Sequence, residues 1–149
     1  MLKQLNFIYI LIFFIGGCSI METKAPFIPM EDFMRNPEKS SFQISPNGNY
    51  VAFMKPWKNR MNVFVMDINT VKEERLTSSE TRGIYGFTWL TDNRIGYVKD
   101  DGGNENMHFY AVNIDGTNEM DLTPFENIQA RIIDDLEDDQ NHVIIGLNK

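Results

Sequence analysis

The sequence predicts an all-β fold built from repeated antiparallel sheets. Three observations predict it: short runs rich in Val, Ile, Phe and Tyr, turn residues between the runs, and recurrence of the whole pattern. Phe42-Gln43-Ile44-Ser45-Pro46-Asn47-Gly48, followed by Tyr50-Val51-Ala52-Phe53, has a counterpart in Phe87-Thr88-Trp89-Leu90-Thr91-Asp92, followed by Ile95-Gly96-Tyr97-Val98. Phe42 and Phe87 lie 45 residues apart. Later in each unit, Val63-Phe64-Val65-Met66-Asp67-Ile68 matches Phe109-Tyr110-Ala111-Val112-Asn113-Ile114, and the two runs are followed by Leu76-Thr77 and Leu122-Thr123. A period of about 40 to 45 residues holding four short strands is the blade of a β-propeller. The prediction is therefore a partial β-propeller of about two and a half four-stranded antiparallel blades, placed after a signal peptide.

Taken in chain order, the first element is the export signal, assigned to residues 1–17. Lys3 precedes an apolar stretch from Phe7 to Ile15, and the small residues Gly16 and Gly17 stand directly before Cys18. The apolar stretch is far shorter than the roughly 20 residues that cross a bilayer core. Ile15-Gly16-Gly17-Cys18 resembles the bacterial lipobox, which implies that Cys18 is the lipid-attachment residue and the mature amino terminus. The expected address is the cell envelope, periplasm or outer membrane, with the acylated Cys18 as the membrane partner. Cys18 is the single cysteine, so no internal disulfide is expected. Residues 18–40, with Pro26, Pro29 and Pro37, read as a tether and approach segment. Within it Glu31 to Arg35 suits one helical turn, with Asp32 as a plausible cap and Pro37 as the stop.

Blade 1 is placed at residues 41–78, with strands expected near 41–45, 49–55, 62–68 and 72–77. Blade 2 is placed at 79–125, with strands near 84–90, 94–99, 108–114 and 119–123. The turn chemistry agrees: Ser45-Pro46-Asn47-Gly48 offers Pro for the first corner and Asn-Gly for a positive backbone angle, and Asp115-Gly116 suits a two-residue hairpin. Residues 126–149 are the expected start of a third blade: Ile132-Ile133 and Leu136, a polar turn from Asp138 to Asn141, then Val143-Ile144-Ile145. The 149 residues are too few to close a propeller of at least four blades, which points to a fragment of a longer protein.

The joint pattern resembles the propeller repeats of TolB-type periplasmic proteins and of the prolyl oligopeptidase family, with its acylaminoacyl-peptidase and dipeptidyl-peptidase members. Three segments favour the peptidases. Glu31-Asp32-Phe33-Met34-Arg35-Asn36-Pro37 leading into Ser41-Phe42-Gln43-Ile44-Ser45-Pro46-Asn47-Gly48 is similar to the opening of the bacterial members, with Asn47 where Asp is usual. Gly102-Gly103-Asn104-Glu105-Asn106, before His108-Phe109-Tyr110, resembles a loop between the two central strands of an early blade, and Val143 to Asn148 resembles the strand that opens the next. The resemblance covers about residues 31 to 149. It implies the amino-terminal, non-catalytic propeller portion of a lipid-anchored serine peptidase (a hydrolase), in which the propeller gates peptide substrates into an α/β-hydrolase domain. That domain and the remaining blades are the implied partners. The alternative is a TolB-like propeller lipoprotein acting as an envelope protein-binding module.

The family's catalytic serine stands in a Gly-x-Ser-x-Gly elbow, with Asp and His after it, and no such elbow occurs in this sequence. No catalytic residue is therefore assigned, and neither His108 nor His142 is read as a base. A net charge of -7 without a cationic run argues against a nucleic-acid partner. No cofactor and no metal is expected. The loop from Asp100 to Asn106 gathers acidic and amide oxygens, but it lacks the ligand spacing and closing Glu of an EF-hand, so a solvated hairpin loop is preferred to a calcium site. Glu73 and Glu74 are similar to the paired glutamates that hold a substrate amine in some dipeptidyl peptidases. They lack matching flanks, and a charged strand edge is the favoured reading. Trp57 is expected to be an aromatic lid on its blade rather than a ligand contact, Phe87 and Trp89 inter-blade core, and His108 and His142 strand-end residues too far apart in sequence to imply a zinc pair.

Overall fold

The structure is a computed structural model that describes residues 25–35, 37–136, 138–139 and 141–148. Cys18 and the whole of the expected signal peptide lie outside the described residues. The described residues up to Arg35 and those from Pro37 onward fall into two separate units. In the first, α1 (Met30–Met34) is a single turn. It starts earlier than expected: Pro29 is at the N-cap, and Asp32 lies in the first turn, where its carboxylate meets Arg35 at 3.1 Å. Asp32 is therefore not the cap, because Pro29 already fixes the entry and its carbonyl accepts from the Asp32 N–H.

The second unit is a stack of antiparallel sheets. Blade 1 consists of β1 (Ser40–Ile44), β2 (Tyr50–Trp57), β3 (Arg60–Asp67) and β4 (Glu73–Arg75), in that spatial order. Blade 2 repeats the order with β5 (Gly86–Thr91), β6 (Arg94–Lys99), β7 (His108–Asn113) and β8 (Met120–Asp121). A third sheet pairs β9 (Ala130–Asp134) with β10 (Ile144–Leu147). All ten strands fall where the repeat predicts strands, and the fold is the all-β partial propeller expected. The outermost strands are shorter than predicted, for a reason that is the same in both blades. The Thr77 hydroxyl accepts the Val63 N–H at 2.9 Å, and the Thr123 hydroxyl accepts the Phe109 N–H at 2.9 Å. A side chain thus takes over where the backbone ladder stops, which explains why Leu-Thr recurs at this point of the repeat.

Cross-strand register refines the repeat. Ala52 faces Val65 in blade 1 as Gly96 faces Ala111 in blade 2, so β2 and β6 are related by 44 residues, not the 45 read from the sequence. The first strands keep the offset of 45, since Gln43 pairs with Ala52 as Thr88 pairs with Gly96. The difference lies in the turns. Blade 1 uses Ser45 to Asn49 between its strands, with Gly48 at φ +72° and Asn47 Oδ1 accepting from the Asn49 N–H at 3.0 Å, whereas blade 2 turns on Asp92 and Asn93 alone. Asp115-Gly116 does not form the expected two-residue hairpin. It sits in a longer loop, in which the Asn113 N–H reaches the Thr117 carbonyl at 3.0 Å and the Thr117 hydroxyl bonds the Asp115 carboxylate at 2.6 Å.

Strand alternation gives every blade a leading face, toward the amino-terminal side of the stack, and a trailing face. Ala52, Met54, Val63 and Val65 on the trailing face of blade 1 form one buried cluster with Phe87, Trp89, Ile95 and Tyr97 on the leading face of blade 2. Val98 and Phe109 on the trailing face of blade 2 form a second with Ile128 and Ala130, against which Ile132 and Ile145 pack. The apolar core is therefore the space between sheets, as the reading of Phe87 and Trp89 expects. Two reciprocal bonds tie the first strands: Gln43 Nε2 donates to the Phe87 carbonyl at 2.9 Å, and Trp89 Nε1 donates to the Gln43 carbonyl at 3.2 Å.

Candidate functional site

A concave surface lies at one end of blade 2, where β6 and β7 leave the sheet. It is a cleft of about 680 Å3 whose lining includes Asp100, Asp101, Asn104, His108, Tyr110 and Glu126. The Asp100–Asn106 loop forms one wall. Asp100 is buried, and its Oδ2 accepts the Glu105 N–H at 3.4 Å and lies 3.8 Å from Arg82 Nε. Gly103, at φ +92°, lets this arrangement form: a β-carbon there would stand 2.7 Å from the Arg82 guanidinium. A cation supplied by the segment before blade 2 thus balances the loop's buried carboxylate.

The other wall is the leading face and edge of blade 2. His108 Nδ1 and Asp121 Oδ2 are 2.6 Å apart across β7 and β8. Tyr97 and Tyr110 stack with centroids 5.4 Å apart, and the Lys99 ammonium lies 4.3 Å from the Tyr110 centroid and 3.7 Å from Glu119 Oε1. The Tyr97 hydroxyl donates to Glu119. Burial first, then the Glu119 carboxylate, hold the Tyr97 phenol well above its ordinary pKa. Burial likewise raises that of Tyr110, with the Asp121 charge adding to it. Both phenols stay neutral at any physiological pH and act as donors and stacking surfaces.

The remaining residues singled out in the sequence fall apart in space. Glu73 and Glu74 are neighbours on edge strand β4 and point to different partners: Glu73 lies between Lys39 and Lys55, 3.0 Å from the latter, while Glu74 meets Lys72 at 2.6 Å. The two ammonium groups, Lys39 first, hold the Glu73 carboxyl below its ordinary pKa. A carboxylate already satisfied by two lysines presents little free charge to a substrate amine. Trp57 lies half-buried at the end of β2, with the Arg75 guanidinium 3.8 Å and the Lys58 ammonium 4.6 Å from its ring centre, the arrangement of a lid held by cation–π contacts. His142 pairs with Asp139 at 2.7 Å, apart from His108, and among the described residues no group of three His, Cys, Asp or Glu side chains is set to hold a metal.

Sequence reasoning missed Arg82, Tyr97, Lys99, Glu119 and Asp121. The repeat carried a signal for three of them, since Lys99 and Glu119 recur as Lys55 and Glu73, and Tyr97 as Phe53. Chemically the cleft offers carboxylates, amides, the neutral phenol of Tyr110, the His108 imidazole and the Lys99 ammonium. It contains no activated nucleophile, and it is suited to holding a polar or cationic chain rather than to breaking a bond.

The stacked blades define part of a propeller, and comparison of sequences finds similarity to peptidases. Over 115 residues the chain is 30% identical to dipeptidyl aminopeptidase BIII of Pseudoxanthomonas mexicana, covering 76% of this chain and 17% of that protein. Over 92 residues it is 28% identical to dipeptidyl peptidase family member 6 of Caenorhabditis elegans, covering 60% of this chain and 12% of that one. These matches show the relationship that the Ser-Pro-Asn-Gly turn and the Gly-Gly-Asn-Glu-Asn loop predict, with peptidases of the prolyl oligopeptidase family. The chain spans less than a fifth of the length of either relative. No family model matches it. Solved structures similar to it include TolB from Acinetobacter baumannii (18% identity, TM-score 0.49, 63% of this chain and 24% of that one). The propeller domain of the trilobed protease from Pyrococcus furiosus is another (17% identity, TM-score 0.48, 63% and 31%).

Proposed function

We propose that this chain is the non-catalytic propeller portion of a lipid-anchored serine peptidase, in which it gates access of peptides to a hydrolase domain. The observation that carries the reading is the 30% identity with dipeptidyl aminopeptidase BIII over 115 residues. The cleft on blade 2 supports it, because Asp100, Asp101 and Glu126 outnumber the one ammonium of Lys99 in its lining, a balance that favours an extended peptide with a free amino end over an anionic ligand. The anchor is read from Lys3, the apolar stretch to Ile15, and Gly16-Gly17-Cys18. An acylated Cys18 would hold the blades at the envelope surface, since each buried methylene contributes about 0.8 kcal/mol.

The test is made on the native gene product, captured with an antibody raised against residues 41–134. A product several times longer than this chain that reacts with a fluorophosphonate serine probe and releases dipeptides supports the reading. An unreactive product of propeller repeats alone overturns it in favour of an envelope binding module. The anchor is tested separately: Cys18→Ala should abolish acylation and leave the leader uncleaved, and unchanged processing would sink that part.

A further inference from the structure

The blade 2 cleft has a neighbour of opposite charge. A second concavity, of about 490 Å3, lies where the start of β3 meets the connection between blades 1 and 2, and Arg60, Thr81, Arg82 and Tyr85 are among its lining. The connection is pinned to both blades. The buried Asn62 side chain receives the Ser79 N–H at 2.8 Å and donates to the Ser79 carbonyl at 3.0 Å. Further on, the Ile84 N–H donates to the Met61 carbonyl at 2.8 Å and the Tyr85 N–H to the Val98 carbonyl at 2.9 Å. A β-carbon on Gly83 would stand 3.4 Å from the Met61 nitrogen, so the chain runs close against β3. Every lining residue belongs to blade 1 or to the segment that joins it to blade 2, and no other blade is needed to form the site.

Two arginines and no carboxylate line this concavity. Arg60 is fixed from behind: Nε donates to the Thr81 carbonyl at 2.9 Å and Nη1 to the Asn59 carbonyl at 3.3 Å, which leaves Nη2 without an acceptor among the described residues. Arg82 makes no hydrogen bond among the described residues; its ion pair is the 3.8 Å approach of Nε to Asp100, and its side chain is 48% exposed. Glu80, the one acid in the connection, already meets Lys58 at 2.7 Å. A planar guanidinium with unused N–H groups is matched by a carboxylate, which accepts two parallel bonds. Beyond Arg82 the polarity reverses. Asp100 lines the blade 2 cleft, its side chain is fully buried, and its Oδ1 has no hydrogen-bond donor among the described residues. The Arg82–Asp100 contact is therefore the boundary between a cationic concavity and an anionic one.

We infer that the two concavities form one dipolar groove in which Arg60 and Arg82 are a carboxylate subsite. A peptide with its amino end in the blade 2 cleft places a carboxylate, of an acidic side chain or of its own carboxyl end, against the two arginines. Charge sets the direction: the ammonium goes to Asp100, Asp101 and Glu126 and the carboxylate to Arg60 and Arg82, whereas the reverse orientation brings like charges together. The inference rests on the peptide-gating reading and deepens it, because it names the class of peptide, acidic beyond a free amino end, that this part of the propeller selects.

The test is calorimetric titration of the full chain at low ionic strength with three peptides: Ala-Ala-Glu-Ala amide, Ala-Ala-Gln-Ala amide, and Ala-Ala-Gln-Ala with a free carboxyl end. The expected result is that a peptide carrying a carboxylate binds about tenfold tighter than the uncharged amide. Preference for the Glu amide assigns the subsite to an acidic side chain, and preference for the free carboxyl end assigns it to the terminus. Arg60→Gln should remove the preference while leaving the β-sheet circular dichroism unchanged, because Arg60 is exposed. Arg82→Lys, which keeps a charge beside Asp100 but loses the planar fork, should weaken it. Equal affinity for the three peptides, or a preference that both variants retain, would overturn the carboxylate subsite. Absence of binding by any of them would overturn the groove itself. The peptidase reading stands apart from these outcomes, since it is decided by reaction of the native product with the serine probe.

Discussion

Blades 1 and 2 solve the same packing problem with different side chains, and the contrast shows which parts of the repeat are fixed. On the trailing face blade 1 places Ala52 diagonally across from Val63, and blade 2 places Gly96 diagonally across from Phe109. A larger residue on one strand is matched by a smaller one on its neighbour, so the sheets keep their spacing while the volume moves from strand to strand. What does not change is the polar framework: the threonine that closes the third strand, the lysine over that strand's aromatic ring, and the glutamate that receives it.

The largest effect expected from breaking this comparison is at Gly96. A β-carbon there would lie 2.3 Å from Phe109 Cζ and 3.2 Å from Leu90 Cδ1, and Phe109 is fully buried between blade 2 and the third sheet. Gly96→Ala should cost about 3 kcal/mol in urea unfolding, at the upper end of overpacking penalties. Gly96→Ala with Phe109→Val recreates the blade 1 arrangement and should recover part of the loss, a coupling visible in a double-mutant cycle. Equal losses with and without Phe109→Val would show that the clash is with the backbone, not the ring.

The closing threonines come next. Thr77→Val leaves the buried Val63 N–H without its acceptor, and it also takes from Asn62 Oδ1 the hydroxyl donor at 2.9 Å, leaving that oxygen the Ser79 N–H at 2.8 Å. Thr123→Val leaves only the Phe109 N–H unpaired, because its hydroxyl lies 3.4 Å from Asp121 Oδ1, a weak contact. Thermal or urea unfolding should give about 2 kcal/mol for Thr77→Val and about 1 kcal/mol for Thr123→Val, the costs of orphaned buried polar groups. The reverse order would mean that Asn62 re-pairs within blade 1.

Trp89→Phe removes the Nε1 bond to the Gln43 carbonyl and some ring volume while keeping an aromatic in the core. About 1 kcal/mol is expected. If its effect is not additive with that of Gln43→Leu, the two reciprocal bonds between β1 and β5 act as a unit.

The repeat made most of this fold legible. The Phe42 and Phe87 runs, the Val63 and Phe109 runs and the Leu-Thr pairs fixed the identity and order of the strands, because period-2 apolar runs bounded by turn residues have few other solutions. The register of β2 was misread by one residue, since the longer Ser45–Asn49 turn shifts the alternation without changing the apolar character of the run. The cleft was only half legible. The Asp100–Asn106 loop stands out by composition, but its counter-ion Arg82 and the His108–Asp121 pair come from segments whose meeting depends on strand order, and no local pattern announces such contacts. Trp57 was legible as a lid with Lys58 beside it in the chain, whereas its other cation, Arg75, emerges only from the pairing of β3 with β4.

The smallest effect sharpens the comparison at the charged end of the leading faces. Glu73 sits between Lys39 and Lys55, and those ammonium groups hold its carboxyl below the ordinary glutamate value. A carboxyl whose pKa is lower folded than unfolded adds stability that is fully present above the unfolded value, near 4.3, and is lost as the pH falls through the folded value. Glu73→Gln should therefore lower the melting temperature slightly at neutral pH, in keeping with a solvent-screened pair. The gap between the two curves should narrow once the pH falls below the unfolded value and close below the lowered folded value, where Glu73 is neutral in both states. A gap that persists in acid would mean that the effect does not come from the charge of Glu73, and the aromatic stack of Phe42, Phe53 and Phe64 with its covering lysines would then be the part of this arrangement that stabilises blade 1.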